Sequence, residues 1–550
     1  MRARIVRVVK TLSMISSYQS LTILKRETKP FFIDTTMAQT SSKLSSLIII
    51  PLVIIVITSF NYFSTNRITE DSKDWSISTP EAENMSPDLL EKMRENMHEE
   101  RLPVDSVIII RNGCIVMEEY PSSSIPSSTK RKLYSATKSI TSALIGIAIQ
   151  EGYIEGVDQK IIDYFPDKTI ADKDRRQMIT IKHLLTMTGG YEWGNDGTGS
   201  GMRNSADPVQ YVLDKPMVQD PGNVYNYGDG SPFLLGAIIY EVTGMTVLEF
   251  AEKYLFTPLN ITDVSWESSG DQYFAASGLW MRPRDMAKIG QLFLNYGKWG
   301  EKQVISQDWI TESTETHVSG QGFMAGVNFD VDGYGYLWWT YPESGVYYAS
   351  GMYEQRIYVC PELDLVAVFT SHNDGAEVTP RLLFHYILPA CNDYTHNSFS
   401  KYGLSFSYPR GMKVIEAPSP FGGEVVSEES GFVQAYFSYG YESISVMWYP
   451  KSNDMDLDSE IEGLFSLFKS EKNLIERGSI ELLENAGQDI HYMSANVTEN
   501  GYTTSGMIGC WYSEGTDRVV FTYIIADPMS YTQEEIRNMF FYHISTFQEY

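Results

Sequence analysis

One stretch near the start of the chain is apolar without interruption. Residues 44–63 read LSSLIIIPLVIIVITSFNYF and contain no charged residue. A helix of about 20 apolar residues spans the hydrocarbon core of a bilayer. Upstream, residues 1–43 carry eight basic residues and two acidic ones. Because cytoplasmic flanks are enriched in lysine and arginine, this pattern predicts a transmembrane anchor, with a cytoplasmic tail before it and the rest of the chain outside the cell.

Two other interpretations of the apolar segment stay open. From Met37 onward the chain also resembles a secretory signal sequence with Lys43 as its basic region, in which case residues 1–36 would be untranslated. Against cleavage, no small-x-small site follows Phe63. A buried core helix is disfavoured because the segment is apolar on every face and a polar linker follows it. We prefer an uncleaved anchor in the cell membrane, with secretion after cleavage as the alternative.

After this segment the pattern becomes that of a globular chain. Two alternating stretches flank Asn112-Gly113, and an Asn-Gly pair in this setting is the strongest short-range signal for a β-hairpin. The pattern predicts, in order, a polar linker over 64–80, a helix over 86–100, the hairpin over 104–120 and a mostly apolar helix over 134–149.

The pattern of hydrophobic and polar residues changes again near residue 393. Before it, the pattern predicts two strands within 351–371 and a closing helix over 381–389; after it, the chain is strand-rich, with helices predicted near 458–469 and 532–547. The predicted units are a first domain over 81–392, a linker over 393–400 and an acidic α+β domain over 401–550. We expect the last of these to have a binding or spacer role, with an acidic surface that only keeps the protein soluble as the alternative.

Composition and charge exclude several classes of function. The formal net charge is −27, which argues against a nucleic-acid binder, since such proteins need a basic face. The four cysteines lie far apart and are predicted to be buried thiols, although one long-range disulfide stays possible in an oxidising compartment. No HExxH, P-loop, GxGxxG or GxSxG motif occurs, so neither a metal nor another cofactor is predicted.

The candidate chemistry is an SxxK pattern at Ser135 to Lys138. Two further copies, at residues 127–130 and 466–469, lie in a polar loop and an amphipathic helix, so the pattern alone is weak. Ser135, by contrast, stands at the N-terminus of the most hydrophobic helix after the anchor. Helical spacing puts Lys138 one turn further on the same face, where its amine can reach the hydroxyl.

A serine needs such a neighbour because its free hydroxyl is a poor nucleophile. We expect burial of this helix to lower the pKa of Lys138 towards neutrality, so that the amine can act as a base. The alternative is a capping serine beside a lysine whose stem packs on an apolar surface.

Several separated segments share a known arrangement of motifs. They include LYSATKSITSAL at 133–144, ITIKHLLTMTGG at 179–190 and PGNVYNY at 221–227, with LLG at 234–236. Segments at 278–288, 334–339 and 351–366 also fit. Together they resemble the serine β-lactamase and penicillin-binding-protein superfamily, in particular its class C-like branch, which includes esterases, D-amino-peptidases and aminohexanoate-dimer hydrolases. The resemblance covers roughly residues 80–390, in family order.

The resemblance implies an α/β (α+β) domain of the β-lactamase/transpeptidase-like fold, with an antiparallel sheet flanked by helices and a helical lobe beside it. It implies that Ser135 is the acyl-forming nucleophile and Lys138 its partner. Tyr227, at the position of the second motif, shares the role of base and then protonates the leaving group. The backbone N–H groups of Ser135 and Met352 form the oxyanion hole.

Two departures from the family pattern bear on substrate and proton balance. The second motif ends in Asp229 instead of an amide, and this carboxylate could accept a hydrogen bond from Lys138 and raise the pKa of that lysine. The third motif begins with Ala349, so it lacks the cation or imidazole that helps β-lactamases and DD-peptidases hold a substrate carboxylate. We also predict substrate contacts for four residues, Tyr191, Trp193, Gly351 and Gln355, although the two aromatic residues could equally belong to the core.

The sequence therefore predicts a serine hydrolase that acts on an ester or amide, such as a short peptide or oligoamide, without a cofactor. Two alternatives stay open: a penicillin-binding DD-peptidase or β-lactamase, and an inactive binding or sensor protein on the same fold, which Asp229 and Ala349 motivate. The expected partners are a small-molecule substrate and a membrane, the latter through residues 44–63; nucleic acid is not expected.

Overall fold

The computed structural model describes residues 75–549, apart from segments at 122–125, 194–198, 325–326, 376, 419–424, 438–442, 453–455, 464–472, 486–487, 500–501, 514–517 and 527–532. The predicted cytoplasmic tail and the predicted anchor at residues 44–63 lie outside the described residues. Within the described part of the chain, no single helix has the length and apolarity to cross a membrane, and one pair, Gly230–Thr243 with Val247–Phe256, passes that test only jointly and is bent by 78°.

The first unit is built on one large sheet. Its described strands are β1 Ser76–Ile77, β2 Val104–Arg111, β3 Cys114–Glu119, β4 Arg131–Lys132, β5 Asn226–Tyr227, β6 Ser265–Trp266, β7 Ser268–Ser269, β8 Gln272–Tyr273, β9 Leu279–Met281, β10 Lys298–Trp299, β11 Lys302–Gln303, β12 Val318–Met324, β13 Val327–Tyr334, β14 Trp339–Tyr341, β15 Val346–Gly351, β16 Gln355–Cys360 and β17 Leu365–Ser371. Ten of them form a sheet in the order β1-β3-β2-β17-β16-β15-β14-β13-β12-β5.

This sheet is antiparallel between β3 and β12, while the two edge strands, β1 and β5, pair in parallel. Strand β2 shows how it is covered. Side chains alternate between the faces of a strand, and every residue of β2 is buried. Ile108 packs into the core on one face and Ile109 into the core on the other. Both faces of the sheet are therefore covered.

Helices surround this sheet. In the described part of the first unit they are α1 Pro87–Glu99, α2 Thr137–Gln150, α3 Lys173–Arg176, α4 Ile181–Leu185, α5 Ser200–Arg203, α6 Pro208–Leu213, α7 Gly230–Thr243, α8 Val247–Ala251, α9 Pro283–Leu294, α10 Gln307–Thr314, α11 Thr379–Leu382 and α12 Leu388–Ala390. All of α2 except its last two residues is buried, because it packs in the core that α7, α9 and one face of the sheet share. Because α2 is buried on every side, its sequence is apolar around the whole helix.

The predicted fold class is confirmed. The hairpin lies where the sequence puts it: β2 and β3 pair across Asn112 and Gly113, which have φ values of 51° and 75°. Such a two-residue turn needs positive φ at both positions, which explains the Asn-Gly pair. The predicted helices at 86–100 and 134–149 correspond to α1 and α2. All four cysteines are free thiols, so the structure contains no disulfide.

The second unit is mostly β-structure. Its described strands are β18 Asn397–Lys401, β19 Leu404–Tyr408, β20 Lys413–Ala417, β21 Gly431–Tyr436, β22 Ser443–Pro450, β23 Asn473–Arg477, β24 Glu481–Asn485, β25 Gln488–Glu499, β26 Tyr502–Tyr512, β27 Arg518–Ala526 and β28 Gln548–Glu549. Helix α13, Gln533–Thr546, lies between β27 and β28 in the chain. One eight-stranded sheet contains β20 to β27, and a small sheet joins β18, β19 and β28.

The two units share one hydrophobic core. A single buried cluster joins α1 and the outer face of the first sheet to the second unit, and the ring of Phe384 lies 5.3 Å from that of Phe437. The junction differs from the linker predicted at 393–400, because β18 begins at Asn397 and Asp393 forms an ion pair with buried Arg111 at 2.7 Å. The chain passes from one unit to the next without a flexible spacer.

A buried histidine makes the second unit sensitive to acid. His543 is 1% exposed, and its Nε2 atom lies 2.9 Å from Thr522 Oγ1. Burial lowers the pKa of His543 from 6.5 to about 4. A lowered pKa means that the neutral ring stabilises the fold above pH 6.5 and that this contribution is lost as the pH falls from 6.5 towards 4, by about 3 kcal/mol in total.

We therefore expect the unfolding free energy to fall less between pH 6.5 and 4 in His543→Phe than in the unmodified protein, as measured by urea unfolding at several pH values. The control is His98→Gln, which removes an exposed histidine of the first unit. An identical pH dependence in all three proteins would contradict the assignment.

Candidate active site

Ser135 lies at the junction between a short turn and the buried helix α2. The turn comprises Tyr134–Ala136, and α2 follows at Thr137. Tyr134 has a positive φ of 46°, which is uncommon for a bulky residue and costs backbone energy. Ser135 itself is half-buried. Its hydroxyl is thus held by a well-packed backbone while it remains open to a substrate.

The amine of Lys138 is within hydrogen-bond distance of three acceptors. The Nζ atom lies 3.0 Å from Ser135 Oγ, 2.7 Å from Asp229 Oδ1 and 3.0 Å from the carbonyl oxygen of Ala276. A lysine ammonium has three N–H donors and no acceptor. The number of acceptors therefore matches the charged form of Lys138, whose residue is only 1% exposed.

The charge state of Lys138 differs from the sequence-based expectation. Burial lowers the pKa of this lysine, but the carboxylate of Asp229 and the contact with Tyr227 outweigh burial, so the pKa is raised. The expected fall towards neutrality is wrong, and the expected effect of Asp229 is confirmed. A buried ammonium persists because a carboxylate is paired with it. In this charged form Lys138 donates a hydrogen bond to Ser135 Oγ.

Tyr227 reaches the same place from the edge of the sheet. It ends β5, which pairs with β12 at Met324. The centre of its ring lies 4.8 Å from Lys138 Nζ, where the two groups interact electrostatically, and Trp339 packs against the ring at 5.8 Å. The structure brings Ser135 and Tyr227 together around one ammonium group.

The loop after Tyr227 is fixed by an indole. A Cβ atom added at Gly228 would lie 2.5 Å from the ring of Trp193, and one added at Gly230 would lie 2.2 Å from it. Only glycines allow Trp193 to pack so closely against this backbone. The loop ends at Asp229, which is 6% exposed and precedes α7, where the helix dipole favours a negative charge.

Two of the predicted substrate contacts are therefore packing residues. Trp193 is 4% exposed and Tyr191 is 1% exposed, and their rings lie 5.5 Å apart. Trp193 packs against the backbone of the second motif, and Tyr191 packs against Trp193.

The third motif approaches the nucleophile through its glycine. A Cβ atom on Gly351, the last residue of β15, would lie 2.0 Å from the carbonyl oxygen of Leu133 and 3.1 Å from the nitrogen of Ala136. The end of β15 thus touches the backbone on both sides of Ser135. Gly351 therefore contacts the segment that carries the nucleophile. The oxyanion hole formed by the N–H groups of Ser135 and Met352 remains a prediction, which this close contact favours.

Gln355 has a different place from the predicted substrate contact. It is 3% exposed, and its Nε2 atom donates to the carbonyl oxygens of Ser371 at 2.6 Å and Tyr353 at 3.2 Å. The amide therefore holds the turn that follows Met352. Buried polar groups need such partners. The amide of Gln355 is therefore bound to backbone carbonyl oxygens and does not face a substrate.

The sequence analysis missed Glu354, which fixes the same turn. Its buried carboxylate accepts hydrogen bonds from the N–H groups of Val378 at 2.9 Å and Thr379 at 3.2 Å and from Asn373 Nδ2 at 3.0 Å. Tyr353 and Glu354 both have a φ of 61°. No sequence signal marks this turn, because neither residue is a glycine or an asparagine.

Within the described residues, no group of three or more His, Cys, Asp or Glu side chains could hold a metal ion. The chemistry that the arrangement itself supports is acyl transfer: a serine hydroxyl beside a buried ammonium, with a phenol next to that ammonium and a backbone N–H nearby.

The chain is similar to several known proteins. The family model "Beta-lactamase" matches residues 89–391. A 6-aminohexanoate-dimer hydrolase from Paenarthrobacter ureafaciens is 24% identical over 305 residues, which cover 51% of this chain and 74% of that protein. A lovastatin esterase from Penicillium rubens is 25% identical over 186 residues, which cover 30% of this chain and 46% of that protein.

Among solved structures, a penicillin-binding-protein homologue from Caulobacter crescentus is similar with a TM-score of 0.43 and 14% identity, covering 52% of this chain and 92% of that one. The chain spans less than half the length of several curated relatives that it matches. The family model, however, covers more than half of the chain, and the protein accordingly belongs to the β-lactamase family of hydrolases.

Proposed function

We propose that the protein is a serine hydrolase that forms an acyl-enzyme at Ser135 and hydrolyses an ester or amide. The observation that carries this proposal is the 3.0 Å contact between Ser135 Oγ and the buried Lys138 Nζ. A structural role alone would not need a buried ammonium directed at a half-exposed hydroxyl, since burial of a charge is costly. The proposed substrate is a small molecule.

In the first half of the reaction, Tyr227 acts as a phenolate, which takes the hydroxyl proton of Ser135 as Oγ attacks the carbonyl carbon. Lys138 stays charged, and its ammonium, 4.8 Å from the centre of the Tyr227 ring, stabilises this phenolate. Negative charge on the carbonyl oxygen is stabilised by the backbone N–H groups of Ser135 and Met352. The bond to the leaving group then breaks, and Tyr227 returns the proton to the departing oxygen or nitrogen.

In the second half, a water molecule attacks the Ser135 ester. Tyr227 takes a proton from this water and passes it to Ser135 Oγ as the acid is released. Asp229 contributes through Lys138, because its carboxylate at 2.7 Å keeps the ammonium charged throughout the cycle. We further propose that residues 44–63 anchor the protein in the cell membrane, with both described units on the outer side.

The test is labelling of the purified full-length protein with a fluorophosphonate probe, which reacts with activated serines, and with fluorescent penicillin. We expect fluorophosphonate labelling that Ser135→Ala abolishes. The control is Ser127→Ala, which removes the serine of a second SxxK sequence whose lysine, Lys130, is bound to Asp263 at 2.7 Å and which should label normally.

Each outcome distinguishes the alternatives. Labelling by fluorophosphonate alone supports an esterase or amidase. The absence of a cationic side chain at position 349 favours this outcome. Labelling by both probes at Ser135 indicates a penicillin-binding enzyme. Labelling by neither probe in a folded protein overturns the proposal and favours an inactive binding protein on the same fold.

A further inference from the structure

Two exposed apolar residues follow the end of β15. Met352 is 54% exposed and Tyr353 is 38% exposed. The ring of Tyr353 meets the ring of Tyr134 edge-on at 5.3 Å, and Tyr134 directly precedes Ser135. One methionine and two aromatic rings therefore form an apolar surface beside the nucleophile, which we call the acyl surface.

The conformation that exposes this surface is maintained against local strain. Tyr353 and Glu354 are consecutive residues with a φ of 61°, and each costs backbone energy. The buried Glu354 carboxylate and the buried Gln355 amide hold the turn through the hydrogen bonds described above. A fixed turn presents the acyl surface in one arrangement, whereas exposed apolar side chains on a soluble surface normally need no such anchoring.

The charges around the nucleophile are already paired. Every cation on the described segments next to Ser135 has a carboxylate partner: Lys132 with Glu267 at 2.5 Å, Arg131 with Asp105 at 3.7 Å, Arg203 with Glu267 at 3.5 Å, Arg356 with Glu377 at 3.0 Å and Lys138 with Asp229 at 2.7 Å. The third motif adds none, because position 349 is alanine. A carboxylate on the substrate would find no unpaired cation on these segments.

Tyr227 and the acyl surface lie on different strands of the sheet. Tyr227 is on the edge strand β5, and Tyr353 lies between β15 and β16, further in. In the proposed mechanism the leaving group departs towards Tyr227, which protonates it, so the acyl group, as the other substituent of the carbonyl carbon, extends away from Tyr227.

We propose that the substrates are neutral esters whose apolar acyl group packs on Met352, Tyr353 and Tyr134. This inference rests on the proposed function and names its substrate class. The ester bond between the acyl carbon and the alcohol oxygen breaks as the bond to Ser135 Oγ forms, and the alcohol leaves with the serine proton. Water then cleaves the acyl-serine bond and releases the carboxylic acid.

The test compares three 4-nitrophenyl esters on the purified full-length protein: the acetate, the butanoate and the hemisuccinate, which has the length of butanoate and ends in a carboxylate. We expect kcat/KM for butanoate to exceed that for acetate about 10-fold, since two more methylenes are buried. We expect kcat/KM for the hemisuccinate to be about 100-fold below that for butanoate, because its charge is desolvated without a partner.

The matched variants are Tyr353→Asn and Tyr296→Asn. Both positions hold an exposed tyrosine with positive φ, at 38% and 46% exposure and 61° and 50°, and asparagine tolerates this conformation. Tyr353→Asn should reduce the preference for butanoate over acetate to about 3-fold or less, chiefly through KM. Tyr296→Asn, which lies after α9, should leave the preference unchanged.

Fluorophosphonate labelling of the same samples reports the nucleophile separately. A labelled protein that hydrolyses hemisuccinate as fast as butanoate, that cleaves none of the three esters, or whose preference survives Tyr353→Asn overturns the inference and leaves Ser135 as the nucleophile. A folded protein that does not label overturns the proposed function together with the inference.

Discussion

Replacing Lys138 with methionine should destabilise the protein by about 3–5 kcal/mol and abolish labelling of Ser135. Methionine fills a volume similar to that of lysine, so the loss of stability comes from removing the positive charge. Asp229 is 6% exposed and would be left as a buried carboxylate without its 2.7 Å partner. Ser135 would at the same time lose the ammonium that stabilises proton transfer through Tyr227.

Urea unfolding and the rate of fluorophosphonate labelling measure the two effects independently. In Lys138→Met/Asp229→Asn no unpaired charge remains, so most of the lost stability should return while labelling stays absent. Lys168→Met is the matched control: Lys168 pairs with Asp207 at 2.5 Å, but the two side chains are 28% and 45% exposed, and the loss should stay within about 1 kcal/mol. A cost below that value for Lys138→Met would contradict the role given to Asp229.

Gly351→Ala should lower kcat/KM by about 100-fold without unfolding the protein. The backbone at Gly351 has a φ of −128°, which alanine adopts readily, so the effect is steric. The new methyl group would lie 2.0 Å from the carbonyl oxygen of Leu133, and β15 would have to move away from the segment that carries Ser135. A shift of about 1 Å between the nucleophile and the oxyanion donors is enough for such a loss.

Hydrolysis of 4-nitrophenyl butanoate, together with thermal unfolding, checks this expectation. Gly156→Ala is the control, since an added methyl group there meets no atom within 4 Å and should change neither quantity. A Gly351→Ala protein with kcat/KM within threefold of the original would show that β15 does not set the geometry of the site.

Local patterns account for what the sequence predicts well. The Asn112-Gly113 turn follows from backbone sterics at two neighbouring residues, and the burial of α2 follows from its uniformly apolar sequence. Ser135 lies in the turn that leads into that helix, three residues before Lys138, so their contact follows from helical spacing. The place of Tyr227 beside them could be predicted only through the family resemblance, because Tyr227 lies 89 positions after Lys138 in the chain.

The errors arise where two opposed effects, or two distant segments, decide the outcome. The pKa of Lys138 depends on burial and on Asp229, which act in opposite directions, and their balance requires distances. Trp193 packs beneath Gly228 because the two segments meet in the fold, and aromatic character alone does not distinguish a cleft wall from a packing residue. Gln355 likewise meets Ser371 only once β16 and β17 are paired.

The shared core has a consequence for synthesis of the chain. The outer face of the first sheet is completed by the second unit, and in that unit Leu404 pairs with Glu549, next to the last residue. At about 5–20 residues per second, the ribosome needs on the order of ten to thirty seconds to make the second unit after the first. During this interval the apolar face of the first sheet is exposed to solvent, so chaperones that bind nascent chains should bind it. Chains that terminate before the second unit should be degraded before they become active.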